Sequence, residues 1–77
     1  MTKKQFLALV EDIVQESPGT LQGPEALDSL AGWDSLAVVS LIAMVDEQLG
    51  MTFQPKAIAG CRTVDDLVGL SQGKVSG

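Results

Sequence analysis

Seventy-seven residues, 45% of them apolar, set the size of one small folded unit with a limited core. The absence of histidine and the presence of a single cysteine, Cys61, rule out an internal disulfide, the usual zinc ligand sets and imidazole base catalysis. The formal charge is −5, and no Lys or Arg occurs from Gln5 to Pro55, a stretch that holds Glu11, Asp12, Glu16, Glu25, Asp28, Asp34, Asp46 and Glu47. Such a surface repels nucleic acid and anionic lipid and can steer a basic protein partner.

Thr2 opens the first predicted helix, about residues 3–16, and Thr2-x-x-Gln5 has the form of a capping box. Phe6, Val10, Ile13 and Val14 recur at helical spacing and predict its buried face. Ser17-Pro18-Gly19 stops it, because proline disfavours helical geometry in the residue before it. The basic start, Lys3-Lys4, gives way to acidic residues, so the segment reads as an amphipathic helix with solvated lysines rather than a secretion signal. No apolar run approaches the roughly 20 residues of a membrane span, and the expected location is the cytoplasm.

Residues 17–34 read as a long loop whose leucines, Leu21, Leu27 and Leu30, pin it to the core, with a helical turn around Glu25 to Leu30. Loops of this length in compact domains are often functional. A second helix is predicted over about 35–49, with Leu36, Val39, Ile42, Ala43 and Leu49 on one apolar side, Leu41 and Val45 widening it toward a second, and Gly50 as its stop. A short third helix over about 55–59 starts at Pro55 and is anchored by Ile58. Thr63 caps a fourth over about 64–71, with Val64, Leu67, Val68 and Leu70 turned inward. Residues 72–77 have little to bury and are expected to fray. The sum is an all-α fold, one domain over 1–77: a four-helix bundle with a long loop between helices 1 and 2 and a short helix 3.

Asp-Ser-Leu occurs twice, at Asp28-Ser29-Leu30 and Asp34-Ser35-Leu36. Either copy alone reads as a helix cap. Context separates them. Ser29 leads into Ala31-Gly32, whereas Ser35 leads into an unbroken apolar helix whose N-terminal N–H groups and dipole favour an anion. Ser35 is thus a candidate post for a phosphate, and Asp34 a candidate cap or metal-holding aid for a partner enzyme. No general base lies in the local motif, so chemistry at the Ser35 hydroxyl must come from another protein.

Leu27-Asp28-Ser29-Leu30-Ala31-Gly32-Trp33-Asp34-Ser35-Leu36, then Val39, Leu41, Ile42, Asp46-Glu47-Gln48-Leu49-Gly50 and Thr63-Val64-Asp65-Asp66-Leu67-Val68, resemble the acyl carrier proteins of the phosphopantetheine-binding superfamily over about Lys3 to Leu70. The resemblance implies a carrier that is not itself an enzyme and holds no metal. A phosphopantetheinyl transferase, using coenzyme A and Mg²⁺, would attach 4′-phosphopantetheine to Ser35. The arm's thiol would carry acyl or aminoacyl groups as thioesters to acyl-activating, acyltransferase or ketosynthase-type enzymes of fatty-acid, polyketide, peptide or modified-lipid synthesis. Asp34, Leu36, Ser40, Ala43, Met44 and Glu47 would serve partner recognition on a monomeric carrier. Trp33 and the low charge of the second helix depart from the housekeeping fatty-acid type and imply a specialised, discrete carrier that docks more by apolar contact. The competing expectation is a small helical adaptor with no prosthetic group.

Overall fold

The computed structural model describes residues 1–76 and contains four α-helices: α1 Lys3–Val14, α2 Ser35–Leu49, α3 Pro55–Ala59 and α4 Val64–Leu70. Among the described residues extended pairing is limited to two isolated bridges, Thr2 with Ser76 and Ala26 with Thr63. The chain is therefore an all-helical bundle in which α1 packs against α2 and α4, and α2 against α3. No helix among the described residues is long and apolar enough to cross a membrane.

The Thr2 box forms as its spacing predicts: Thr2 Oγ1 accepts the Gln5 N–H at 3.1 Å and Gln5 Oε1 accepts the Thr2 N–H at 2.9 Å. α1 ends two residues earlier than expected. Gln15 turns left-handed at φ 61°, its N–H donates to the Asp12 carbonyl, and the Glu16 N–H reaches back to Glu11. These bonds satisfy the terminal carbonyls and close the helix before Pro18 can act. Phe6, Val10 and Val14 are buried, while Ile13 is only half-buried. Glu11 takes an interior place instead, for a reason supplied by the loop.

The long loop is held by its leucines and by α4. Leu21, Leu27 and Leu30 are buried, and a 3-10 turn spans Leu27–Ser29. The Leu27 N–H donates to Arg62, while Glu25 and Gly23 carbonyls accept the N–H groups of Val64 and Asp65. The Glu11 carboxylate accepts the Leu21 N–H at 2.8 Å, so a chain segment without secondary structure still has its buried amide satisfied. Gly32 then lets the loop cross the end of α1: a Cβ there would overlap the Val14 carbonyl. That crossing sets where α2 begins.

α2 has the predicted bounds, and Gly50 at φ 67° closes it. Its orientation decides between the two apolar sides that the sequence offers. Ala37, Leu41 and Val45 face the core, whereas Leu36 is 76% and Val39 63% exposed, and Ala43 is exposed. Ile42 and Leu49 are half-buried at the edge. The helix is apolar almost all round, so periodicity marks two candidate faces and packing selects one.

α3 carries Pro55 at its first position and buries Ile58, next to the buried Phe53. At α4 the Thr63 hydroxyl accepts the Asp66 N–H at 3.2 Å, and Asp66 Oδ2 accepts the N–H groups of Arg62 and Thr63 at 2.9 and 3.1 Å. α4 stops at Leu70, one residue short of the expected end, with Ser71 as its cap.

The expected fraying of 72–77 is also corrected for the described part. Gln72 and Gly73 turn left-handed and fold the tail back, and Val75 is 5% exposed. The buried Ser71 hydroxyl donates to Val68 at 2.6 Å and accepts the Val75 N–H at 3.2 Å. Ser76 then bonds Met1 and Lys3 through the backbone. One valine gives the tail enough to bury because the hydrogen bonds around it are already made. Gly77 lies outside the described residues.

Candidate functional site

Gly32, Trp33 and Asp34 bring the chain from the end of α1 to the start of α2. Trp33 is half-buried against the core, and its backbone N–H donates to the Leu30 carbonyl, which orients the corner. Asp34 is the N-cap: Oδ1 accepts the Ala37 N–H at 2.9 Å, and its carbonyl accepts the Val38 N–H at 3.0 Å. Of the two roles open to Asp34 in the sequence, capping is the one the geometry displays.

Ser35 follows as the first helical residue and is exposed. Its backbone N–H and that of Leu36 have no protein partner among the described residues, so they and the helix dipole favour an anion at this end. The two Asp-Ser-Leu copies differ at the hydroxyl. Ser29 Oγ donates to the Ala26 carbonyl at 2.6 Å inside its turn. Ser35 Oγ makes no hydrogen bond among the described residues. A phosphodiester on Ser35 Oγ fits this arrangement, because the oxygen is accessible, uncommitted and next to unsatisfied N–H groups.

The remaining predicted recognition residues separate by burial. Leu36, Ser40, Ala43 and Glu47 are exposed and recur at one-face spacing along α2. Met44 is half-buried and packs against the core, at the edge of that face. Val39 belongs to the exposed face with Leu36 and Ala43; in the sequence these mark one of two apolar sides of α2, and spacing alone does not say which is covered. A hollow of about 260 Å³ lies beside the face, between the end of α1 and the first turns of α2.

Charges elsewhere serve the scaffold. Lys3 is not simply solvated: Nζ lies 2.8 Å from Asp65 Oδ1. Burial pushes the Glu25 carboxyl up, but the N–H groups of Gln22, Gly23 and Glu25, with Lys3 nearby, outweigh it and leave it below its ordinary value. The N–H groups of Arg62 and Thr63 hold Asp66 low, with help from the Thr63 hydroxyl and Arg62 charge, against a smaller upward push from burial. Burial first, then the Asp66 charge, push the half-buried Cys61 thiol up, which keeps it protonated and a poor nucleophile.

No curated protein and no solved structure matched the chain. The family model described as the phosphopantetheine attachment site matches residues 4–70, which include α1 from Lys4, the whole of α2, α3 and α4, and the Asp34-Ser35-Leu36 corner. Domains of this kind carry covalently attached 4′-phosphopantetheine and are generally carriers without catalysis of their own. With that match over most of its length, on an all-helical bundle, the chain belongs to the phosphopantetheine-attachment family of carrier proteins.

Proposed function

We propose that this carrier is modified at Ser35 and presents acyl or aminoacyl groups to the enzymes of a specialised biosynthetic pathway. The observation that carries the reading is the contrast between the two serines: Ser35 stands exposed with an uncommitted hydroxyl at the start of the longest helix, while Ser29 Oγ is tied to Ala26. A phosphopantetheinyl transferase supplies the chemistry that the chain lacks. The Ser35 hydroxyl loses its proton to a base of that enzyme, its oxygen becomes the phosphodiester oxygen, and the nucleotide part of coenzyme A departs. The attached arm supplies a thiol on which a cargo can be held as a thioester.

The chain's own residues position and expose this serine. Asp34 caps α2 and so holds Ser35 in its first turn. Leu36, Ser40, Ala43 and Glu47, with Met44 at the edge, offer partner enzymes a face next to the arm. The sparse charge of that face supports a specialised polyketide, peptide, aminoacyl or modified-lipid carrier over the housekeeping fatty-acid type.

Intact-mass measurement after incubation with coenzyme A, Mg²⁺ and a broad-specificity transferase tests the assignment. The wild type and Ser29→Ala should gain one phosphopantetheine mass, and Ser35→Ala should gain none. Modification that persists in Ser35→Ala and disappears in Ser29→Ala would move the site. A wild type that no active transferase modifies would leave a helical adaptor as the better reading.

A further inference from the structure

A hollow of about 450 Å³ lies between the outer side of α1 and the start of the long loop, and no residue of α2 lines it. Leu7, Pro18 and Leu21 give it apolar walls. At its inner end stands Glu11, only 4% exposed. Oε2 accepts the Leu21 N–H at 2.8 Å, whereas Oε1 accepts no hydrogen bond among the described residues. No sealed side-chain oxygen among those residues lacks a partner, so Oε1 is open to what enters the hollow. Lys3 and Lys4 line the outer end. Asp65 neutralises Lys3 at 2.8 Å, while Lys4 is exposed and has no ion-pair partner among the described residues. Lys4, Leu7 and Glu11 stand at i, i+3 and i+7 on one side of α1, so the Cα atoms of the two unpaired charges are about 10 Å apart along the axis at ~1.5 Å per residue.

We propose that this hollow binds a short zwitterion: its primary ammonium donates to Glu11 Oε1, its apolar body lies on Leu7 and Leu21, and its carboxylate meets Lys4. The order of the charges selects this class. An alkyl tail pushed to the inner end takes water from Oε1 and returns no hydrogen bond, which is costly for a charged acceptor. An anion is drawn to Lys4 but repelled by Glu11. A simple amine satisfies Glu11 but leaves Lys4 unmatched at the mouth. A zwitterion with separated ends meets each charge with its opposite, and a bond between ammonium and carboxylate is among the stronger hydrogen bonds. Glu11 then has two roles: Oε2 fixes the loop that forms one wall, and Oε1 reads the ligand. The site is independent of Ser35 and of the arm attached there.

Titration of the full chain with 8-aminooctanoate, whose extended form separates its charged ends by a comparable span, tests this, read by amide NMR shifts. Saturable shifts should appear at Leu7, Ala8 and Leu21, with a Kd on the order of 1 mM. Octanoate and octylamine, each lacking one charged end, should bind at least roughly fivefold more weakly. Glu11→Gln keeps an oxygen for the Leu21 N–H and should weaken 8-aminooctanoate binding about tenfold, with circular dichroism confirming the fold. Lys4→Gln, a change at an exposed position, should weaken it about threefold. Ser35→Ala should bind as the wild type does, whether or not Ser35 is the attachment site. Octanoate that binds as tightly as 8-aminooctanoate overturns the proposal without recourse to any variant. So does unchanged affinity in Glu11→Gln, a loss in Ser35→Ala, shifts confined to residues outside the hollow, or no saturable shift up to about 20 mM.

Discussion

The Glu11 carboxylate accepts the backbone N–H of Leu21 at 2.8 Å, with Glu11 only 4% exposed. A charged acceptor on α1 thereby fixes the long loop ten residues later. Removing it leaves a buried amide without its partner, and a hydrogen bond to a charged group contributes about 1.5–3 kcal/mol. Glu11→Ala should lower the unfolding free energy by about 2 kcal/mol in urea titration. Glu11→Gln, which keeps an acceptor oxygen, should lose clearly less. Equal losses in the two variants would assign the effect to packing rather than to the Leu21 bond.

Asp34 separates stability from recognition. Its cap on Ala37 contributes about 1 kcal/mol, so Asp34→Ala should lower stability by that amount. Asp34→Ser restores a capping oxygen without the charge, and its melting temperature should return close to wild type. If the transferase reads the carboxylate itself, Asp34→Ser should still load more slowly than wild type, which separates the two roles in one comparison of melting and loading rate.

Acid should loosen the loop and the start of α4 together. Glu25 and Asp66 both titrate below their ordinary values of 4.5 and 3.8, because backbone N–H groups favour their charged forms in the fold. A carboxyl depressed on folding contributes stability that is complete above its unfolded value and is lost as pH falls through its folded one. Melting temperature should therefore decline as pH is lowered from about 5 through these values and below. In Asp66→Asn the acid-dependent part of the decline should be smaller, since one of the two linked groups no longer titrates. An identical pH profile in that variant would remove Asp66 from the account.

Val75 gives the tail a measurable role. Its side chain is 5% exposed and its N–H reaches the buried Ser71 hydroxyl. Val75→Ala deletes two buried carbon groups at about 0.8 kcal/mol each, so stability should fall by roughly 1.5 kcal/mol. Hydrogen exchange should quicken at Lys3 and Ser76, whose N–H groups bridge the two ends of the chain. Unchanged exchange at Lys3 would mean that the bridge holds without Val75.

Local chemistry made much of this protein legible in advance. Thr2 with Gln5, Thr63 with Asp66, Pro55 and Gly50 mark helix ends through bonds within a few residues, so the sequence by itself determined where the helices lie. The same locality singled out Ser35 over Ser29, because only Ser35 precedes a long helix. Decisions that depend on distant partners belonged to the tertiary structure. Which side of α2 turns inward was one, since Leu36 and Val39 are as apolar as Leu41 and Val45, and only packing against α1 and α3 distinguishes them. The burial of Glu11 was another, because the amide that stabilises its carboxylate comes from a loop with no periodic signal. The docking of Val75 was a third, resting on bonds to residues at the opposite end of the chain. Sequence pattern records the spacing of side chains along one element, whereas burial is settled by the other elements that come to cover it.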